Sequence, residues 1–135
     1  SPGCMAAAEN DEIVQDEKTG AVIYTEKTKD LDFKATLEGC PYNIPRQDPK
    51  SKVLVKCTMC FDRLSNNMIP ACVKSCPTGA MIFGERDKIL DMTKKRVEEL
   101  KKTFPKAAAI KPDELRVIYV VTDDPAKYSK FASGK

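Results

Sequence analysis

Cys57-Thr58-Met59-Cys60, followed after eleven residues by Cys72-Val73-Lys74-Ser75-Cys76-Pro77, decides how this chain is read. Four of its six cysteines fall in that stretch, spaced C-x2-C-x11-C-x3-C, with a proline directly after the last. The pattern is that of iron–sulfur ligation, in which a C-x2-C hook donates two thiolates from one turn and a later C-x3-C-P closes the site. Proline lacks an N–H and cannot continue a helix, so Pro77 is expected to end the helical turn that carries Cys72 and Cys76. Thr78-Gly79 then turns the chain, aiming backbone N–H groups at sulfur, where they stabilise its negative charge. Two other uses of the cysteines compete. Zinc also takes paired hooks, although a following proline is not part of its signature. Disulfides suit an even count, but hooks this close would be strained, and a chain of this length forms a core without them. Iron–sulfur ligation is the expectation.

At 135 residues the chain makes one domain or a piece of one. Its 41% apolar content allows a modest core, and 32% charged residues suit a solvated surface. No apolar run is long enough to span a bilayer, and Ser1-Pro2-Gly3-Cys4 resembles no signal peptide. With no initiating methionine and a cysteine already at position 4, a start within a domain is expected. Histidine is absent, which excludes Rieske ligation, c-type haem attachment, His-containing zinc sites and His-based catalytic triads. Charge is uneven. Glu9 to Glu38 holds nine acidic and four basic residues, whereas Cys40 to Cys76 holds six basic (Arg46, Lys50, Lys52, Lys56, Arg63, Lys74) and two acidic. Any one of these lysines reads as solvated surface. As a set they suit clusters whose thiolates leave them net negative, because nearby positive charge raises the reduction potential. No aromatic-interleaved stripe accompanies the charge, so nucleic acid is not an expected partner.

In chain order, Ala6-Ala7-Ala8 predicts a short helical turn. Glu12 to Tyr24 predicts a β-hairpin with Gly20 near its tip. Asp30 to Glu38 predicts a short helix, Cys40 to Arg46 a proline-punctuated loop, and Lys52 to Lys56 a brief strand entering the first hook. Phe61 to Leu64 continues as a helical turn broken by Ser65-Asn66-Asn67. Ala80 to Gly84 predicts a short strand. Asp87 is expected to cap a helix to about Thr103, with Leu90, Val97, Leu100 and Phe104 on one face and Pro105 stopping it. Leu115 to Val121, rich in β-branched residues, predicts a strand, and the tail from Asp123 a surface segment. The fold class is therefore α+β, with a ferredoxin-like iron–sulfur region over residues 1–84 and a helix, strand and tail over 85–135.

Cys40-Pro41 repeats the ending of Cys76-Pro77. In two-cluster ferredoxins the cysteine before that proline ligates the other cluster of the pair. Crossing of this kind leaves Cys57, Cys60 and Cys72 as three corners of one cluster and sends Cys76 to another, with Cys40 and Cys4 needing partners. Local closure by Cys57, Cys60, Cys72 and Cys76 is the alternative. Crossing is favoured.

Three runs, Gly39-Cys40-Pro41-Tyr42-Asn43-Ile44-Pro45-Arg46, Lys56 to Arg63 and Pro70 to Ala80, resemble the electron-transfer subunit of molybdenum/tungsten oxidoreductases. Within that wider molybdopterin (dimethyl sulfoxide reductase) family the chain most resembles the small, β subunit of formate dehydrogenase; subunits serving dimethyl sulfoxide, polysulfide or nitrate are the alternative. The resemblance implies a ferredoxin-like dicluster-type fold in which the last cysteine group pairs with the first and the two middle groups pair together. Cys57, Cys60, Cys72 and Cys76 match the last group, Cys40 the surviving cysteine of a reduced middle group, and Cys4 the third cysteine of the other. It further implies three 4Fe–4S clusters needing twelve cysteines, six of them supplied from outside these residues. The implied partners are a large catalytic subunit with a bis-pterin tungsten or molybdenum centre and an external carrier such as a cytochrome or further subunit. A periplasmic location, by export with the partner, is expected. No residue here is expected to be catalytic. Asp62 and Arg63 read as a surface pair, and Arg46 and Lys56 as groups between a cluster and an interface or as structural residues. A Cys4 zinc-binding interaction module and an autonomous ferredoxin are the readings from other classes.

Overall fold

The computed structural model describes residues 3–132 and 134. The chain divides into two compact units, Ser1–Ser75 and Cys76–Lys135.

The first unit is held by short side-chain-to-backbone hydrogen bonds as much as by apolar burial. A 3-10 turn, Gly3–Ala7, leads to a hairpin of β1 (Ile13–Gln15) and β2 (Val22–Tyr24), with Ile13 opposite Tyr24 and Gln15 opposite Val22. Its tip closes because the Asp16 carboxylate accepts the Thr19 N–H and hydroxyl at 2.7 and 2.5 Å, while Gly20 takes the left-handed φ of 69° that glycine tolerates. Thr25 caps a 3-10 turn, Glu26–Asp30, and Asp32 caps α1 (Phe33–Glu38) by accepting the Lys34 and Ala35 N–H groups. β3 (Arg46–Gln47) and β4 (Leu54–Val55) form a second antiparallel ribbon. Thr28, fully buried, joins the pieces: its hydroxyl donates to the Thr25 carbonyl at 2.7 Å and accepts the Leu54 N–H at 3.0 Å. Ile13, Ala21, Leu54 and Cys4 make the small apolar core. The unit ends in two short helices, α2 (Phe61–Ser65) and α3 (Ala71–Lys74).

The second unit packs α4 (Arg86–Lys101) on a ribbon of β5 (Ala108–Ala109) and β6 (Val120–Val121), around Ala107, Ile110 and Val121. The Arg86 guanidinium ties the loop to the helix start by donating to the carbonyls of Leu115, Pro112 and Asp113 at 2.8 to 3.0 Å.

Several expectations change here. Glu85, not Asp87, occupies the cap position of α4, without a side-chain cap; Asp87 lies in the first turn, where its charge suits the helix dipole. The helix ends at Lys101, short of Thr103 and Pro105, and Phe104 is exposed. Only Val120–Val121 of the run from Leu115 forms strand, since just two residues find an antiparallel partner; Val117 and Tyr119 are 45% and 62% exposed. β-branched propensity reports fit to a pleated, half-buried surface, and a run without a pairing edge does not become a strand. Ala80 to Gly84 likewise forms no strand, and Met81, Ile82 and Phe83 are exposed. The sheets are small antiparallel ribbons among helices. No helix among the described residues is long and apolar enough to cross a membrane.

Candidate metal centre

β4 delivers Cys57 to a tight turn in which two successive residues, Met59 and Cys60, are left-handed at φ 58° and 51°. Neither is glycine, so the hook holds a costly backbone shape. That shape aims the Met59 N–H at Cys57 Sγ, 3.4 Å away, and places Cys60 at the start of α2. α2 stops at Asn66 and the left-handed Asn67. The Arg63 side chain then spans the break, its Nε donating to the Ile69 carbonyl at 2.8 Å just before Pro70 starts α3 and presents Cys72. Arg63 is thus tied to the main chain at Ile69. It fixes the second hook relative to the first, a role hidden from sequence because its partner is a carbonyl. α3 ends at Lys74, so Cys76 lies beyond the helical turn expected to carry it.

Cys76 opens the second unit. Gly79, at φ 65°, bends the chain back on it. The Thr78 hydroxyl, 3.5 Å from Sγ, and then the N–H groups of Met81, Ala80 and Thr78 favour the thiolate, bringing this thiol from 9.0 down to about 7 against a smaller opposing effect of burial. This is the cradle of donors expected from Pro77-Thr78-Gly79.

The main chain just before Cys4 meets the main chain just before Cys40, at a device the sequence offers only as a repeated Gly-Cys pair. A Cβ on Gly3 would stand 2.4 Å from the Gly39 carbonyl oxygen, and one on Gly39 would stand 3.1 Å from the Gly3 oxygen. The backbones cross where only glycine fits, one residue before each cysteine. Cys40 Sγ accepts the Ile44 N–H at 3.4 Å, and the following loop is pinned by Arg46, whose Nη1 donates to the carbonyls of Asn43 and Pro45, both at 2.7 Å. Arg46 therefore has a structural role. Lys56 reaches back from β4 to the Val22 carbonyl and to the Cys57 carbonyl at 2.9 Å, with its ammonium 5.2 Å from the centre of the Tyr24 ring.

All six cysteines are free thiols. Among the described residues no three Cys, Asp or Glu side chains gather into one ligand set. The donor chemistry fits iron–sulfur ligation all the same: Cys40, Cys57 and Cys76 each have an N–H or hydroxyl donor at sulfur, as cluster-bound thiolates do.

Known proteins agree with that chemistry. The chain is 50% identical over 123 residues to the formate dehydrogenase 2 subunit beta (cytochrome c-553) of Nitratidesulfovibrio vulgaris, covering 89% of this chain and 56% of that one. It is 40% identical over 136 residues to the formate dehydrogenase subunit beta of Megalodesulfovibrio gigas, covering 98% and 63%. It is 34% identical over 133 residues to the nitrate-inducible formate dehydrogenase iron–sulfur subunit of Escherichia coli, covering 94% and 45%. The chain therefore spans roughly half to two thirds of these relatives' length. The sequence pattern of the 4Fe-4S dicluster domain matches residues 1–86, well over half of the chain, and with the sulfur-directed donors at its turns this chain belongs to the 4Fe-4S dicluster domain family.

Proposed function

We propose that this chain is part of the electron-transfer subunit of a formate dehydrogenase, passing electrons singly between a catalytic subunit with a bis-pterin tungsten or molybdenum centre and an external acceptor, a cytochrome or a further subunit. The observation that carries the reading is the provision of N–H and hydroxyl donors at the sulfurs of Cys40, Cys57 and Cys76. Formate as the partner's substrate is supported by the names of relatives matching 89% and 98% of the chain.

Bound 4Fe–4S clusters would supply the one-electron redox chemistry. This chain's residues bind, orient and tune. Cys57, Cys60 and Cys72 take three corners of one cluster, Cys76 crosses to another, and Cys4 and Cys40 serve the middle groups. The complete subunit holds three clusters, with the remaining thiolates from outside these residues, and works in the periplasm.

The test is to purify the full subunit with its catalytic partner and measure iron, sulfide and visible absorbance. Brown protein with about twelve irons, four for each of three clusters, is the expected result. Colourless protein with stoichiometric zinc overturns it. Cys57→Ala is expected to remove one cluster and stop delivery to the natural acceptor while formate oxidation with an artificial acceptor persists.

A further inference from the structure

Tyr24 sits on β2 opposite Ile13, and its hydroxyl is sealed from solvent without a partner at hydrogen-bonding geometry. The polar group beside it is the thiol of buried Cys4. A hydroxyl buried without an acceptor is unfavourable, so this one is placed for something a lone thiol does not provide. The ring beneath it carries the Lys56 ammonium, 5.2 Å from its centre. That ammonium is held by its neighbour's carbonyl, Cys57, and by that of Val22, 34 positions away in sequence. A half-buried ammonium clamped by two carbonyls and an aromatic face is a fixed charge rather than a waving surface lysine.

We propose that Tyr24 and Lys56 are a paired set of positioning residues for the cluster ligated through Cys4: the Tyr24 hydroxyl donates to sulfur at that corner, and the Lys56 ammonium, seated on the Tyr24 ring and the Cys57 carbonyl, is the fixed positive charge beside it. This rests on the reading of the cysteines as cluster ligands. A cluster bound through thiolates is net negative and offers sulfur lone pairs, so it gives the hydroxyl its missing acceptor and the ammonium its counter-charge. Both interactions favour the more negative, reduced state and raise the midpoint potential.

The experiment is potentiometric titration, followed by electron paramagnetic resonance, of the full subunit in its complex. Tyr24→Phe keeps the ring and removes one oxygen. It is expected to lower the midpoint of one cluster, with roughly a tenfold change in its one-electron equilibrium, about 59 mV. Lys56→Gln is expected to lower the same midpoint, with full iron content. Fully loaded Tyr24→Phe protein with every midpoint unchanged overturns the assignment, whatever happens to its melting temperature, since a purely structural tyrosine alters stability and leaves potentials alone. Should Lys56→Gln lose iron, Tyr24→Phe still decides. Absence of any cluster signal in the unsubstituted complex would instead overturn the ligand reading beneath it.

Discussion

At Cys76 the sulfur is served by its own chain neighbours, the Thr78 hydroxyl and the N–H groups that follow it around Gly79. At Cys4 the polar groups come from afar: the Tyr24 hydroxyl from a hairpin strand and, on the Tyr24 ring, Lys56 from the segment just after β4. The first arrangement is made of backbone in a turn, so almost any side chains that permit the turn will supply it. The second exists only if two ribbons and a glycine crossing are correctly placed. The surroundings of Cys4 therefore depend on the fold of the first unit, and those of Cys76 on the turn that follows it around Gly79.

That contrast can be broken at several points. The largest effect is expected from Gly3→Ala, whose Cβ meets the Gly39 carbonyl oxygen at 2.4 Å. Separating two backbones is overpacking of the stiffest kind and should cost about 3 kcal/mol, with iron lost from the Cys4 cluster before the others. Gly39→Ala, at 3.1 Å, is expected to cost less, and differential scanning calorimetry of the two variants checks the order. Next comes Thr28→Val. The shape is kept, but the buried Leu54 N–H loses its acceptor, at about 1–3 kcal/mol by urea titration. An unchanged midpoint of unfolding would show that the ribbons are not joined there.

Gly79→Ala sharpens the other side. Nothing lies within 4 Å of a Cβ at this position, so the penalty comes only from a φ of 65°. It should be about 1–2 kcal/mol, confined to the second unit and detectable by hydrogen exchange of residues 76–84. The smallest effect is that of acid. Glu12, Asp16 and Asp48 in the first unit have carboxyls held below the usual carboxylate range, chiefly by the Asn10 N–H, the Thr19 hydroxyl and the Ser51 N–H respectively. Their folded values lie below the unfolded ones, so the stability they add is present above about pH 4 and disappears as pH falls through the folded values. In the second unit the Asp123 carboxyl, bonded to Lys127, is lowered in the same way. Hydrogen exchange between about pH 5 and pH 3 should therefore loosen the first unit sooner, and Asp16→Asn should narrow the difference.

What the sequence made legible follows the same division. The turn of the C-x2-C segment, the Cys-Pro-Thr-Gly turn and the hairpin around Gly20 are written in residues a few places apart and form where expected, while the helix expected from Asp30 starts at Phe33, behind the Asp32 cap. Leu115 to Tyr119 and Ala80 to Gly84 were misleading because a strand is a relation between two segments, and propensity describes one. The crossing of Gly3 and Gly39, the span of Arg63 to Ile69 and the pairing of Tyr24 with Lys56 were hidden for a related reason. Each joins residues whose identities are ordinary and whose separation carries no periodic signal.

The glycine crossing has one more consequence. Because the loop between Gly3 and Gly39 is closed by main chain against main chain, the spacing of the two neighbouring sulfurs does not depend on how far the hairpin projects. Its exposed tip at Glu17-Lys18 is thus a natural graft point. A fluorophore or affinity handle inserted there, where doubling a loop costs only about 0.6 kcal/mol, would ride on the molecule without disturbing the wiring.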